Sequence, residues 1–494
     1  MKQLYKLYSP LAIVLIALYS IPQLNAANLY VDPAGGCGGN VPCYTTISTA
    51  IAAASPGDDI LLTDNITEGL ITVNKAVTID GQGYTITSSS ATWGLTLAAA
   101  GVTLENFTIQ NAGTYGIITQ PGSDNLTVTN VTVTNCGSSG YAITCSDNVT
   151  LNNITSTNND GNGVSMADCD NLTINGITTS GNAFAGGFSA GVGIFSEGTY
   201  CAGGTTNVTI TGAVNISEPV TVYEQTTGGP GVSGTSIAPT SGSVSAPTHF
   251  VGIGTTDKYY QSSLATAYAV VNVLLNPPYN LPSSLLHIEE IASGDKFVDD
   301  NPAGGTIEMS VQAAIDYAAA GKTVFMEDGS YGQRITINKS LTLDGQSKSG
   351  TILDGTGLLG TGSGIALSNN ITNVTIQDLT VQNYSGSGAN TSAGIYAPAN
   401  NNDLLITNVA IQNNTNAAGI YANGPVDNVS VTNSMVANHG PGARGIVIWN
   451  GLKSNITMTG NMVTNNNCCG IELQDGDASA VNISNNTIDI SGGD

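Results

Sequence analysis

Asn125-Leu-Thr-Val-Thr-Asn-Val-Thr-Val-Thr-Asn135 consists of two short alternating segments joined by an asparagine. Aliphatic side chains at every second position, with Thr between them, have the period of a strand and not the 3.6-residue period of a helix. The pattern returns as Val149-Thr-Leu-Asn-Asn-Ile-Thr-Ser-Thr-Asn158 and as Leu172-Thr-Ile-Asn-Gly-Ile-Thr-Thr179. After a long gap it returns again as Val374-Thr-Ile-Gln-Asp-Leu-Thr-Val-Gln-Asn383. Self-similarity at a period in the twenties is the mark of a solenoid.

Taking the first inward aliphatic of each repeat gives Val77, Val102, Leu126, Val149, Leu172 and Val208, spaced 25, 24, 23, 23 and 36. A second series, Leu341, Val374, Leu404, Val429, Ile456 and Val481, is spaced 33, 30, 25, 27 and 25. Strands this short, each a full turn of chain from its equivalent, stack in parallel and close into a right-handed coil. A third strand opened by glycine completes each rung, as in Gly116-Ile-Ile-Thr119, Gly140-Tyr-Ala-Ile-Thr144, Gly394-Ile-Tyr-Ala397 and Gly419-Ile-Tyr-Ala422.

Residues 27–83 and 296–346 are two copies of one opening module. Ile71-Thr-Val-Asn-Lys-Ala-Val-Thr-Ile-Asp-Gly-Gln82 answers Ile335-Thr-Ile-Asn-Lys-Ser-Leu-Thr-Leu-Asp-Gly-Gln346. Each copy carries an Ala-rich apolar segment, about 47–54 and 311–319, that reads as a helix covering the first rung's open edge and raw core. The expected fold is all-β: two tandem right-handed parallel β-helix domains, each with an N-terminal capping helix. The domain reading is a signal peptide at 1–26, β-helix domains at 27–217 and 296–494, and a linker at 218–295. Within the linker, 226–247 reads as a flexible Gly/Ser/Thr/Pro-rich tether. Leu264 to Leu275, closed by Pro277-Pro278, reads as a helix or strand packed over a domain end.

Lys2 and Lys6, an apolar run from Leu11 to Tyr19 and Leu24-Asn25-Ala26 have the order of a cleavable secretory signal. The run is too short to span a bilayer, and no later stretch reaches about 18 apolar residues. Cleavage leaves 9 Lys and Arg against 35 Asp and Glu, a net charge of −26. Such a chain is a poor partner for nucleic acid, anionic lipid or polyanionic glycan without bridging cations. Export makes disulfides expected among the eight Cys. Cys37 and Cys43 bracket a turn and read as one pair; Cys145 and Cys169, each preceding a rung's Asp-Asn, read as a second. Cys136, Cys201, Cys468 and Cys469 are left unassigned, and no spacing suggests zinc.

The Val-Asp-Pro opening with its Ala-rich helix, Val77-Thr-Ile-Asp-Gly81, Leu341-Thr-Leu-Asp-Gly345, Asn148-Val-Thr-Leu151 and Asn373-Val-Thr-Ile376 together resemble the pectate-lyase-like superfamily of right-handed parallel β-helix proteins. The resemblance is specific for fold and open on activity, since the superfamily includes lyases, hydrolases, adhesins and inert surface proteins. Its lyases use an Arg as base and calcium held by Asp and Glu. The resemblance therefore directs attention to Arg444, with His439, Trp449 and Lys453 within a rung and Glu472, Asp475 and Asp477 in the next, as one outward patch of base, cation and carboxylates. His439, Arg444, Lys453, Glu472 and Asp475 are the catalytic candidates. A polar loop with scattered charge is the competing account of the same residues, because no motif fixes two of them together.

Tyr396 and Tyr421, one rung apart on the third strand, with Trp449, are candidates for stacking on sugar rings, against cross-strand packing as the alternative. Asp168, Asp170 and Glu197 are the candidate ligands for calcium. The chain holds 19 Asn-x-Ser/Thr sequons, but a rung that needs Asn at its corner, an aliphatic inward and Thr outward generates them without glycosylation.

The function read from the sequence is a secreted or cell-surface structural or adhesive β-helix protein that contacts an extracellular polysaccharide or cell surface. No amphipathic helix covers the last rung, so either the chain is a fragment or that edge meets another subunit; of these, head-to-tail association that could propagate into a filament is the expectation, and a monodisperse monomer in light scattering would contradict it. The alternative is a polysaccharide lyase or glycoside hydrolase acting through the patch around His439 and Arg444.

Overall fold

The computed structural model describes residues 26–183, 189–199, 201–243, 249–253, 257–277, 280–290, 293–300, 310–388, 392–440 and 443–489. Residues 1–25 of the expected signal segment, Pro278 and the last five residues lie outside them. The chain divides into two compact units, one of residues 1–218 with 227–243 and one of 219–226 with 244–494. Each is a parallel β-helix, so the expected all-β class with two β-helices, each opened by a capping helix, is the architecture found.

In the first unit the quoted stretch is the strand Thr127–Thr134, bent at its centre. Asn130 turns the bend at φ 54°, a left-handed conformation that Asn tolerates better than other non-glycine residues. Its Nδ2 donates to Asn106 Oδ1 at 3.1 Å, and Asn153 Nδ2 donates to Asn130 Oδ1 at 3.5 Å. The corners of successive rungs are thus tied by an amide ladder. Val128, Val131 and Val133 on either side of the bend are fully buried. Pairing is parallel and in register, Val128 facing Leu104 on one side and Leu151 on the other.

The glycine opening each third strand has a steric cause. A Cβ on Gly140 would lie 2.1 Å from Ser156 Oγ, and one on Gly419 would lie 2.3 Å from Val436 Cγ1 and 2.8 Å from His439 Nε2. The first residue of this strand crosses directly over the core, where only a hydrogen fits.

The two opening modules use the same devices. Helix α1 (Ile47–Ala53) is N-capped by Thr46, and Glu68 accepts the N–H groups of Ile47 and Ser48 at 2.8 and 3.1 Å. At its other end Lys75 Nζ donates to the carbonyls of Ala52 and Ala54 at 2.8 and 2.7 Å. In the second unit, with α2 being Leu264–Leu275, helix α3 (Val311–Tyr317) is N-capped by Ser310. Lys339 donates there to Asp316 and Ala318 carbonyls at 2.8 and 3.0 Å. The Val311 N–H donates to the neutral Gln333 Oε1 at 3.0 Å, so both helices have a side-chain acceptor at the start and a Lys at the end that satisfy their orphan groups, and in α1 the acceptor is also an anion that complements the dipole.

The linker departs from expectation. Residues 227–243 are not a tether: Val232–Ser233 and Ser236–Ser241 pair in parallel with Thr205–Ile216 and extend the first unit by a rung. Backbone ladder bonds do not require an apolar sequence, and Ile210 facing Ile237 supplies enough alternation. Leu264 to Leu275 is a helix, α2, packed on the antiparallel strands His249–Ile253, Asp257–Gln261 and Leu286–Glu290 through buried residues that include Val270, Val271 and Leu274. On the last strands of the second unit the inward-patterned Val481, Ile483 and Ile488 are exposed.

Cys37 is bonded to Cys43. The Cys145–Cys169 pairing is wrong, because Cys145 is bonded to Cys201, with a Cα separation of 5.9 Å, while Cys169 is a buried free thiol. The error is one residue of register. Cys145 and Asp168 are the corner residues of their rungs, at φ 52° and 54°, while Cys169 stacks inward on Ser146, whose N–H it accepts at 3.4 Å. A shift of one along a strand moves a side chain to the other face. Cys468 and Cys469 are bonded to each other.

Candidate functional site

The outward column of the third sheet in the first unit runs Thr96, Ile118, Ala142, Ser165, Gly193, one residue per rung and paired in register. Beyond Ile118 the outward side chains are small, Ala142 and Ser165 keeping the floor low, while at Gly193 the Phe195 ring and the Asn162 amide take the place of a side chain. Trp93 and Tyr115, from turns that lead into the sheet, stand on one side, and Phe195 and Glu197 stand at the far end. The result is a groove of about 540 Å³, within the size range of small-molecule sites, roughly 300–1,000 Å³.

The floor is polar and hydrogen-bonded. Ser139 Oγ lies 2.9 Å from Ser165 Oγ, Asn162 Nδ2 donates to Ser165 Oγ at 3.2 Å, and Asn162 Oδ1 accepts the N–H of Ala190 at 2.9 Å. The far end is anionic. Buried Asp168 accepts the N–H of Glu197 at 3.0 Å and of Gly198 at 3.1 Å, which fixes the backbone that carries the Glu197 side chain. Burial first, and the Asp168 charge second, raise the Glu197 carboxyl above the ordinary carboxylate range. The loop beyond Glu197 is further held by the Cys145–Cys201 bond.

Asp168 and Glu197 are therefore together, but Asp170 is not with them. Its carboxylate accepts the Thr206 hydroxyl, and its backbone N–H donates to Asp147 Oδ1 at 2.8 Å on a different face of the rung. The expected three-carboxylate calcium site does not form. The donor set that is clustered among the described residues is Cys468, Cys469 and Glu472, within 4.8 Å of one another, with the two sulfurs joined as a disulfide.

The patch expected in the second unit is split. His439 is 3% exposed and occupies the inner position that Asn414 occupies one rung away; its Nδ1 accepts the Asn414 N–H at 3.3 Å. Burial depresses its pKa to about 4. Lys453 is fully buried, its Nζ donating to the carbonyls of Gly451 at 2.9 Å and Asp475 at 3.1 Å. Neither faces outward, because each replaces an inward rung residue. Asp475 turns a corner at φ 51° and its side chain is exposed.

Arg444, Trp449 and Glu472 do converge. The guanidinium lies 4.6 Å from the Trp449 ring centroid, and Nη1 is 3.3 Å from Glu472 Oε2 and 3.2 Å from Gln474 Oε1. Tyr396 and Tyr421 stack at 5.6 Å, 15° from parallel, but Tyr421 is 4% exposed, against buried Val447. This column packs the sheet, and its large residues fill the space that small ones leave open in the first unit.

Sequence reasoning missed the groove. Its signal was the run Ile118, Ala142, Ser165, Gly193 read in register beside Trp93, one of only two Trp in the chain.

Comparison with solved structures returns low similarity over most of the chain. The catalytic domain of Agl-KA is 12% identical, with a TM-score of 0.28, over 87% of this chain and 64% of that one, so the chain spans less than two thirds of it. The A-module of the mannuronan C-5 epimerase AlgE6 of Azotobacter vinelandii is 11% identical, with a TM-score of 0.25, over 90% of this chain and 95% of that one. PfbA, a surface adhesin of Streptococcus pneumoniae, is 11% identical, with a TM-score of 0.20, over 88% and 86%. No curated protein sequence matches the chain. Among the described residues no helix is long and apolar enough to cross a membrane. The profile of the right-handed beta helix region matches residues 57–214 and 322–491, the two stretches in which the parallel rungs were found, and the chain belongs to that family of right-handed β-helix proteins.

Proposed function

We propose that the chain is a secreted or surface-displayed β-helix protein that binds a saccharide in the groove of its first unit without cleaving it. The observation that carries this reading is the low floor of Ala142 and Ser165 flanked by Trp93, Tyr115 and Phe195. Aromatic faces suit the apolar face of a pyranose, and the Ser139, Asn162 and Ser165 groups suit its hydroxyls.

The groove supports binding better than catalysis. Among the described residues that line it, Glu197 is the one carboxylate and there is no Lys, Arg or His. Glycoside hydrolysis with a residue pair needs two working carboxyls, about 5–5.5 or 6.5–9.5 Å apart. Asp168, the neighbouring acid, has both oxygens engaged by backbone N–H groups. Calorimetric titration with a panel of neutral oligosaccharides tests the reading. Binding that Trp93→Ala weakens at least about tenfold, roughly 1.4 kcal/mol, supports it. Release of reducing or unsaturated sugar ends, or binding indifferent to Trp93→Ala, overturns it.

A further inference from the structure

Electrostatics narrow the class of sugar, given the reading of the groove as a saccharide site, on which this inference rests. From Ala27 to Glu218 the chain carries 14 Asp and Glu and a single basic side chain, Lys75, with no Arg or His. That one cation is committed to the carbonyls of Ala52 and Ala54 at the end of α1. The described residues show no ion pair to Asp168 or Glu197, and these two acids stand together at the end of the groove. A polyuronate would bring carboxylates into a unit with no cation free to meet them. A protonated amine brings the missing charge.

We infer that the groove selects glycans with free amino groups, a polymer of de-N-acetylated hexosamine, with Glu197 facing the ammonium of the sugar at the far end. The pyranose rings lie against Trp93 and Tyr115, and hydroxyls meet Ser139 and Ser165. The field of the whole unit adds a long-range attraction for such a cationic chain, which acts mainly on the rate of encounter. A lysine-rich peptide carries the same charge, but the aromatic and hydroxyl lining favours the sugar.

The test compares a glucosamine tetramer with its fully N-acetylated counterpart, a uronate tetramer and tetralysine, on the full chain at low salt. The amine form is expected to bind about tenfold more tightly than the acetylated form. Glu197→Gln is expected to narrow that ratio several-fold, and raising salt toward about 1 M, where screening extends over about 3 Å, to narrow it likewise. Equal or tighter binding of the acetylated sugar, of the uronate or of tetralysine overturns the inference. Acetylated sugar bound equally well and lost in Trp93→Ala leaves the saccharide reading intact, whereas failure of every sugar defeats both.

Discussion

Asp168 lies under Glu197 and holds it by the backbone, accepting the Glu197 N–H at 3.0 Å while its second oxygen takes that of Gly198 at 3.1 Å. Asp168→Ala leaves two N–H groups without an acceptor and releases the end of the groove. Hydrogen bonds to a charged group contribute about 1.5–3 kcal/mol, so a urea titration should show a loss of about 2 kcal/mol, with sugar affinity falling in parallel. Unchanged stability would remove Asp168 from this role.

The corner ladder can be separated into conformation and hydrogen bond at Asn130. Alanine there loses the amide contact to Asn106 and must adopt φ 54°, at about 1–2 kcal/mol for the left-handed backbone alone. Glycine loses only the contact. Asn130→Ala should therefore melt below Asn130→Gly, and the reverse order would place the ladder above the backbone as the determinant.

The register at Cys169 predicts two unlike outcomes. Cys145→Ser opens a bond that closes a loop with a sequence separation of 56, for which the chain-entropy model gives about 4 kcal/mol. Cys169→Ser should be nearly neutral, because Ser146 fills the equivalent place in the next rung. Peptide mapping should find Cys145 joined to Cys201, with Cys169 open to alkylation only after unfolding.

His439 predicts a pH dependence. Its folded pKa of about 4 lies below the ordinary 6.5, mainly through burial, so between these values the unfolded chain binds the proton and the folded one does not. Stability is fully present above about pH 6.5 and is lost as pH falls toward 4, by about 3 kcal/mol at most. His287 shifts in the same direction, to about 3, so the readout is the difference between the parent and His439→Asn. That variant restores the residue type of Asn414 and should flatten the profile by this amount without lowering stability at neutral pH.

The rungs, the capping helices and the duplicated opening module were legible because they rest on local repetition, which survives in a single sequence. What was not legible depends on which residues meet across rungs of unequal length. The 36-residue step from Leu172 to Val208 carries the loop that brings Cys201 to Cys145 and Glu197 to Asp168, and no period locates it. Tyr396 and Tyr421 were conspicuous because they are large, yet they pack. The groove was inconspicuous because its floor is made of Ala142 and Ser165.

The single lysine of the first unit's rungs, Lys75, also bears on resistance to proteolysis. The 182 residues between Lys75 and Lys258 contain no Lys or Arg, and Lys75 itself is drawn onto two backbone carbonyls. A digestive protease whose specificity pocket demands a basic side chain finds nothing to cut across the groove-bearing rungs, even when a rung opens locally. Resistance to such enzymes is set by composition and does not depend on how tightly the coil is closed.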